Sequence, residues 1–257
     1  MNELQATSLF RLDDKTAIVT GAGSGIGRAI ALLYAAAGAG VVAADLDSTA
    51  AEETVARIVR GGGRAHAVTV DVAAPEGIEG AVTAAVETFG ALDVLVNNAG
   101  IYPLGERLPG IDWETYERTY AVNVFGALRC ISASAGRMRP GGAIINISSM
   151  ESLSLSGPGN AHYSSAKAAL NGLTRAAAVD LGPQGIRVNA ILPGLVKTEG
   201  TSGAPQPLFD NIAAKAPSGR VGEPLDIAGA ALFLACPAAS YVNGHCLLVD
   251  GGITISR

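Results

Sequence analysis

A chain of 257 residues, 49% hydrophobic and only 16% charged, is able to bury a large core, and single α/β domains reach this length. Aromatics are 5% while glycine numbers 33, which favours close-packed Ala-, Val-, Leu- and Ile-rich elements over an aromatic-rich sandwich. The net charge of −5 and the lack of any Lys/Arg cluster exclude a nucleic-acid groove, which needs such cations.

Short β-branched runs at 16–20, 41–44, 67–70, 94–96, 143–147, 187–192 and 246–249 alternate with helix candidates at 25–38, 49–60, 76–89, 112–136, 161–180 and 224–235. Most runs are continuously apolar, as strands covered on both faces of a parallel sheet are. The alternation predicts an α/β fold. It is a single doubly wound, Rossmann-type domain over 14–257, with about seven parallel strands and helices on both faces, behind an N-terminal extension of 1–13. Residues 1–14 carry Glu3, Arg11, Asp13 and Asp14 without an apolar run, so no signal peptide is expected. Cys130, Cys236 and Cys246 show no CxxC spacing; they suit buried thiols in a reducing compartment, and a cytoplasmic location is expected. Residues 227–249 contain no charged side chain, but Pro237, Ser240, Asn243, Gly244 and His245 interrupt them. A buried helix, a turn and a strand are expected there, not a membrane span.

The first strand ends in Thr20-Gly21-Ala22-Gly23-Ser24-Gly25-Ile26-Gly27 and a helix follows at once. Glycines in such a turn let backbone approach a pyrophosphate, whose charge the helix N-terminus favours. The second strand ends in Asp45, 24 residues after Gly21. A carboxylate there binds adenosine ribose hydroxyls and repels a 2′-phosphate, which points to NAD over NADP. Neither Ser24 nor Leu46 supplies a base to a phosphate.

Two later strands end in polar groups, Asn97-Asn98-Ala99-Gly100 and Ser148-Ser149, and a third ends in the rigid turn Pro193-Gly194. Taken singly, these are cap or turn residues; together they point at one crevice at the strand C-termini. Tyr163 and Lys167 stand four apart on one helical face. A free phenol titrates near ~10, and a fixed cation lowers that value toward one suited to proton transfer with an alcohol oxygen.

In combination these motifs resemble the classical short-chain dehydrogenase/reductase family from about Asp14 to Gly252. The matches are Thr20-Gly21-x-x-x-Gly25-x-Gly27, Asp71, Asn97-Asn98-Ala99-Gly100, Asn123, Ser149, Tyr163-x-x-x-Lys167, Pro193-Gly194-x-x-x-Thr198 and the tail through Val249-Asp250-Gly251-Gly252. The resemblance implies an NAD(H)-dependent oxidoreductase that interconverts a secondary alcohol and a ketone. Tyr163 is then the general acid/base, Ser149 binds the substrate oxygen, Lys167 tunes Tyr163 and holds the nicotinamide ribose, and Asn123 supports a proton-carrying water. Gly21, Ser24, Gly25, Ile26 and Gly27 would meet the pyrophosphate, and Asp45 and Leu46 the ribose. Asp71 and Val72 would meet the adenine, Asn98, Ala99 and Gly100 the adenosine side, and Val196 and Thr198 the carboxamide, with Pro193 and Gly194 also at the cofactor. A homotetramer is the assembly it implies. Ser149 to Tyr163 is one residue longer than the commonest family spacing, which a one-residue insertion in the loop 151–159 would explain and which keeps Ser148 as the alternative. A lyase or epimerase using the nicotinamide transiently, or a non-catalytic NAD-binding regulator, are the competing uses of such a fold. The substrate itself is not legible.

Lesser signals remain. Residues 198–220, with Pro205, Pro207 and Pro217, read as a long irregular segment, a substrate lid or a surface loop. Glu151 is placed either to touch a polar substrate or as a solvated loop carboxylate. His162 points off the Tyr163 face and reads as structural. Trp113 and Tyr116 fit a subunit interface or the core. His66, His162 and His245 form no metal-ligand spacing, so no metal is expected.

Overall fold

The computed structural model describes residues 6–103, 105, 107–155 and 157–256. One parallel sheet of seven strands organises them: β1 (Thr16–Thr20), β2 (Gly40–Asp45), β3 (Arg64–Thr69), β4 (Leu92–Asn97), β5 (Met138–Ile147), β6 (Arg187–Pro193) and β7 (Cys246–Val249), in the order β3-β2-β1-β4-β5-β6-β7. The order reverses between β1 and β4, which opens a crevice at their C-terminal ends. Strand side chains alternate between two cores. Ala17, Val19, Val41 and Val96 pack under α1 (Gly25–Ala36), α2 (Ser48–Arg60) and α8 (Pro224–Ala235). Ile18, Val42, Leu95 and Ile144 face α3 (Glu79–Phe89), α5 (Ala127–Ala135) and α6 (Ala161–Leu181). At the opposite end of the sheet Asp93 accepts from Thr16 N at 2.9 Å and from Arg139 Nε at 2.8 Å, tying β1, β4 and β5 together.

Several boundaries differ from the sequence reading. The strand expected at 67–70 is Arg64–Thr69, an edge strand with Arg64, His66 and Thr69 exposed, so its polar Arg64 and His66 hid its start. The strand expected at 143–147 begins earlier, β5 running through Pro140-Gly141-Gly142; a register shift between Leu92 and Val94 of β4 absorbs the irregularity. The single helix expected over 112–136 is α4 (Trp113–Tyr120), a π-helical segment Ala121–Gly126, and α5. Residues 198–220 are not irregular throughout, because α7 (Gln206–Lys215) lies within them. Pro205 is its N-cap and Pro207 stands in its first turn, where the helix asks for no N–H from proline.

The described part of the N-terminal extension is anchored through Leu12, with most of its other residues exposed. Leu12 is buried in the core and its N–H donates to Ala37 O at 2.9 Å; residues 1–5 lie outside the described residues. The stretch 227–249 is α8, a short 3-10 turn and β7, and among the described residues no helix is long and apolar enough to cross a membrane.

Candidate active site

The crevice begins with the turn between β1 and α1. Gly21 takes φ of 65°, a left-handed conformation that side chains resist. A Cβ on Gly27 would strike Gly21 O, so α1 is able to start this close to β1 only with glycine there. Asn98 clamps the turn from β4, its Nδ2 donating to Thr20 O at 2.9 Å and Gly21 O at 3.1 Å. The Thr20 hydroxyl returns the clamp, accepting from Asn98 N and Ala99 N at 3.1 Å each. Ser24 is the N-cap of α1 in extended conformation, without a side-chain cap bond. Asp45 closes β2 beside the turn: Oδ2 accepts from Gly23 N at 2.7 Å and Oδ1 from Asp47 N at 3.0 Å. Each carboxylate oxygen keeps a further lone pair for a ribose hydroxyl. Leu46 and Asp71 are exposed at this end and Val72 is buried.

The second half is built from β5, β6 and α6. Ser149 follows β5, its Oγ accepting from Glu151 N at 3.1 Å, and its hydroxyl stands near enough to the Tyr163 phenol to favour its ionised form. Ser148 turns the other way and donates to Lys167 O at 3.1 Å. The helical spacing places Lys167 Nζ 5.6 Å from the Tyr163 ring centroid, a cation–π separation, while it donates to Ile147 O at 2.8 Å. Asn123, within the π segment, accepts from Ile101 N at 2.8 Å and donates to Ile101 O at 2.9 Å. A Cβ on Gly100 would lie 3.1 Å from Asn123 Oδ1 and 3.5 Å from Lys167 Nζ, so Gly100, Asn123 and Lys167 share one corner.

The electrostatics differ from the simple expectation for a Tyr-x-x-x-Lys pair. Burial pushes the Tyr163 phenol up to about 12; the Ser149 hydroxyl opposes this, while Tyr102 and Glu151 add to it. Burial brings the Lys167 ammonium down to about 8. The lowered phenol expected from the spacing is therefore reversed, because desolvation penalises the charged form of both groups.

On the far side Pro193 ends β6, Gly194 donates its N–H to Val249 O at 3.0 Å, and Val196 is buried in the core. Thr198 packs against Gly25, whose added Cβ would lie 3.3 Å from Thr198 Cβ. The structure thus brings Gly21, Thr20 and Asn98 together in one turn and Gly100, Asn123 and Lys167 together at one corner, while Val196 and Ile26 turn their side chains toward the core.

Sequence reasoning missed four neighbours. Tyr102 stands edge-on to Tyr163, ring centroids 4.5 Å apart, and its hydroxyl donates to Asn160 Oδ1 at 3.2 Å. Arg28 and Glu199 meet at the start of α1, 3.4 Å apart. Only the adjacency of Glu199 to Thr198 and of Arg28 to Gly27 could have flagged that pair; no pattern marks Tyr102 or Asn160. Glu151 is buried, which excludes the solvated reading. His162 is buried with Nε2 3.0 Å from Pro103 O, and Trp113 is 65% exposed, which removes it from the core.

The glycine turn, the helix N-terminus and the strand-end carboxylate together fit a dinucleotide, and the phenol–hydroxyl–ammonium cluster faces the other end of the same crevice. Comparison with known proteins agrees with this geometry. Residues 21–254 match the family model described as enoyl-(acyl carrier protein) reductase. An L-rhamnose 1-dehydrogenase (NAD(P)(+)) of Azotobacter vinelandii is 43% identical, over 95% of this chain and 98% of its own. A meso-2,3-butanediol dehydrogenase of Serratia marcescens is 38% identical, over 96% and 97%. The structure of a 7α-hydroxysteroid dehydrogenase complexed with NADH and 7-oxo glycochenodeoxycholic acid superposes with a TM-score of 0.91 at 38% identity, covering 97% of each chain. The chain belongs to the classical short-chain dehydrogenase/reductase family.

Proposed function

We propose that this protein interconverts a secondary alcohol and a ketone with NAD(H), using Tyr163 as its acid/base. The observation that carries the reading is the cluster of Ser149, Tyr163 and Lys167 at the C-terminal end of β5, across one crevice from the α1 turn. When bound, the nicotinamide supplies or accepts the hydride. Tyr163 gives its phenol proton to the carbonyl oxygen in reduction and takes the alcohol proton in oxidation. Ser149 holds that same oxygen, and so fixes the substrate against the phenol. Lys167 holds the nicotinamide ribose and steadies the phenolate. Asn123, clamped on Ile101, supports a water that passes protons toward Lys167. Gly21, Ser24, Gly25, Ile26 and Gly27 hold the pyrophosphate, Asp71 and Val72 the adenine, and Asn98 to Gly100 the adenosine side. Val196 and Thr198 meet the carboxamide, with Pro193 and Gly194 also at the cofactor. The exposed Trp113, Phe125 and Leu128 of the α4–α5 face suit burial between subunits of a homotetramer.

The named relatives act on a sugar, a diol and a steroid, so the shared chemistry is a CH–OH centre and the carbonyl it becomes. Asp45 carries the cofactor choice. A 2′-phosphate would lose charge-assisted hydrogen bonds worth roughly 1.5–3 kcal/mol and meet repulsion, so NAD(H) is expected to exceed NADP(H) by at least about 100-fold in kcat/KM. Oxidation of NADH and of NADPH against a panel of sugar lactones, diketones and oxosteroids tests both parts. Turnover of some panel ketone with NADH supports the reading, and Asp45→Ala should erase most of the preference. Equal use of NADPH by the unmodified enzyme would overturn the cofactor assignment; no turnover with either would overturn the reaction.

A further inference from the structure

Glu199 follows Thr198 in a 3-10 turn, Glu199–Thr201, that is strongly braced. Thr201 Oγ1 accepts from Thr198 N at 2.9 Å and donates to Val196 O at 3.0 Å. From this turn the Glu199 carboxylate reaches across the crevice. Its Oε2 accepts from Gly25 N at 3.0 Å, and its Oε1 lies 3.4 Å from Arg28 Nη1. Gly25 is the first residue of α1, so an anion already stands on the positive end of that helix. A hydrogen bond within its own residue, another from Gly25 N, and the charges of Arg28 and Arg57 keep its carboxyl below the usual range, so it is ionised at neutral pH.

Arg28 is the other half of the contact. Its side chain is only 14% exposed, against 62% for Glu199. Arg28 Nε donates to Thr54 Oγ1 at 3.2 Å, Nη2 donates to Gly23 O, and Nη2 lies 3.6 Å from Glu53 Oε2. The guanidinium is thereby fixed to the glycine turn, while the carboxylate hangs from a separate segment. The fixed partner presents positive charge to the crevice, and the exposed one is held at α1 by the Gly25 N–H and the Arg28 guanidinium.

A dinucleotide that reaches from Asp45 to the Tyr163–Lys167 corner crosses the start of α1, where pyrophosphate asks for the same N–H groups and the same positive end. Two anions cannot share Gly25 N. We propose that Glu199 is an internal competitor for the cofactor's pyrophosphate: its carboxylate holds the α1 N-terminus until the dinucleotide displaces it, and this competition sets cofactor affinity. Arg28 stays in place through the exchange and passes from one anion to the other. The proposal rests on the α1 turn being the pyrophosphate seat and is indifferent to the choice between NAD and NADP, since both carry that group.

Titration calorimetry of the full chain with NADH and with ADP-ribose tests it without any turnover. Glu199→Gln keeps size and polarity but removes the charge, and should bind both ligands about 5- to 20-fold more tightly, as loss of a competing carboxylate at a helix terminus implies. Asp210→Asn removes the same charge from the exposed face of α7, away from α1, and should leave both affinities within about twofold. Unchanged or weaker binding by Glu199→Gln overturns the proposal. So does an equal gain in Asp210→Asn, which would show a general charge effect. Failure of the unmodified chain to bind either ligand would instead remove the pyrophosphate seat itself, and the proposal with it.

Discussion

Lys167 shows how burial at a single residue links this site to stability. Its ammonium is brought from an ordinary 10.5 to about 8 by desolvation. Between those values the unfolded chain still holds the proton that the folded chain has released. The unfolded state then binds more protons, so stability rises with pH in that window, by up to about 1.4 kcal/mol per pH unit. Below about 8 both states are protonated and the slope vanishes. Tyr163 acts oppositely: its phenol, raised to about 12, costs stability only above its ordinary value of 10. Urea melts from pH 7 to about 9.5 should therefore show a rise for the unmodified protein that Lys167→Met lacks; parallel slopes would contradict the burial argument. The two serines separate at the same scale. Ser149 faces the phenol and favours its ionised form whereas Ser148 serves the α6 backbone, so Ser149→Ala should lower kcat about 10²-fold or more and Ser148→Ala far less. A larger loss from Ser148→Ala would reverse the assignment. This distinction was not legible in spacing alone, because the loop between Ser149 and Tyr163 is longer than the common one.

Among the elements, the strongly periodic ones were legible and the composite ones were not. β1, α1, β2 and α6 follow from apolar runs and a glycine turn. The break of the 112–136 helix into α4, a π segment and α5 follows from tertiary bonds, since Asn123 pairs both backbone groups of Ile101, and local periodicity cannot report a contact made 22 residues away. α7 was hidden for a different reason: its prolines sit at the only helical positions that accept them. The clamp by Asn98 carries an element-scale prediction. Its Nδ2 serves two carbonyls of the glycine turn, and leaving them unpaired costs about 1–3 kcal/mol. Asn98→Ala should lower the thermal midpoint by several degrees and weaken NADH binding about tenfold or more, read by calorimetry. Unaltered affinity would mean that the turn holds its shape without the clamp.

At the scale of the whole molecule, the alternation of elements foretold the parallel sheet, and the reversal of strand order between β1 and β4 explains why residues as distant as Gly21, Asn98 and Lys167 meet. What the sequence concealed is the electrostatic state of the crevice. Desolvation, which raises Tyr163 and lowers Lys167, depends on the packing of β5, α6 and Tyr102 around them, and a four-residue spacing contains none of that. The same holds for Glu199, which is brought to Gly25 from 174 positions away. The central claim is that Tyr163 transfers the proton. The most direct test is Tyr163→Phe, with turnover and NADH affinity measured on the same preparation. The ring still fills its place against Tyr102 and Lys167, so the account predicts NADH binding within about twofold of the unmodified enzyme and a kcat lower by about 10²–10⁴. Retention of more than about a third of kcat in that variant would contradict it.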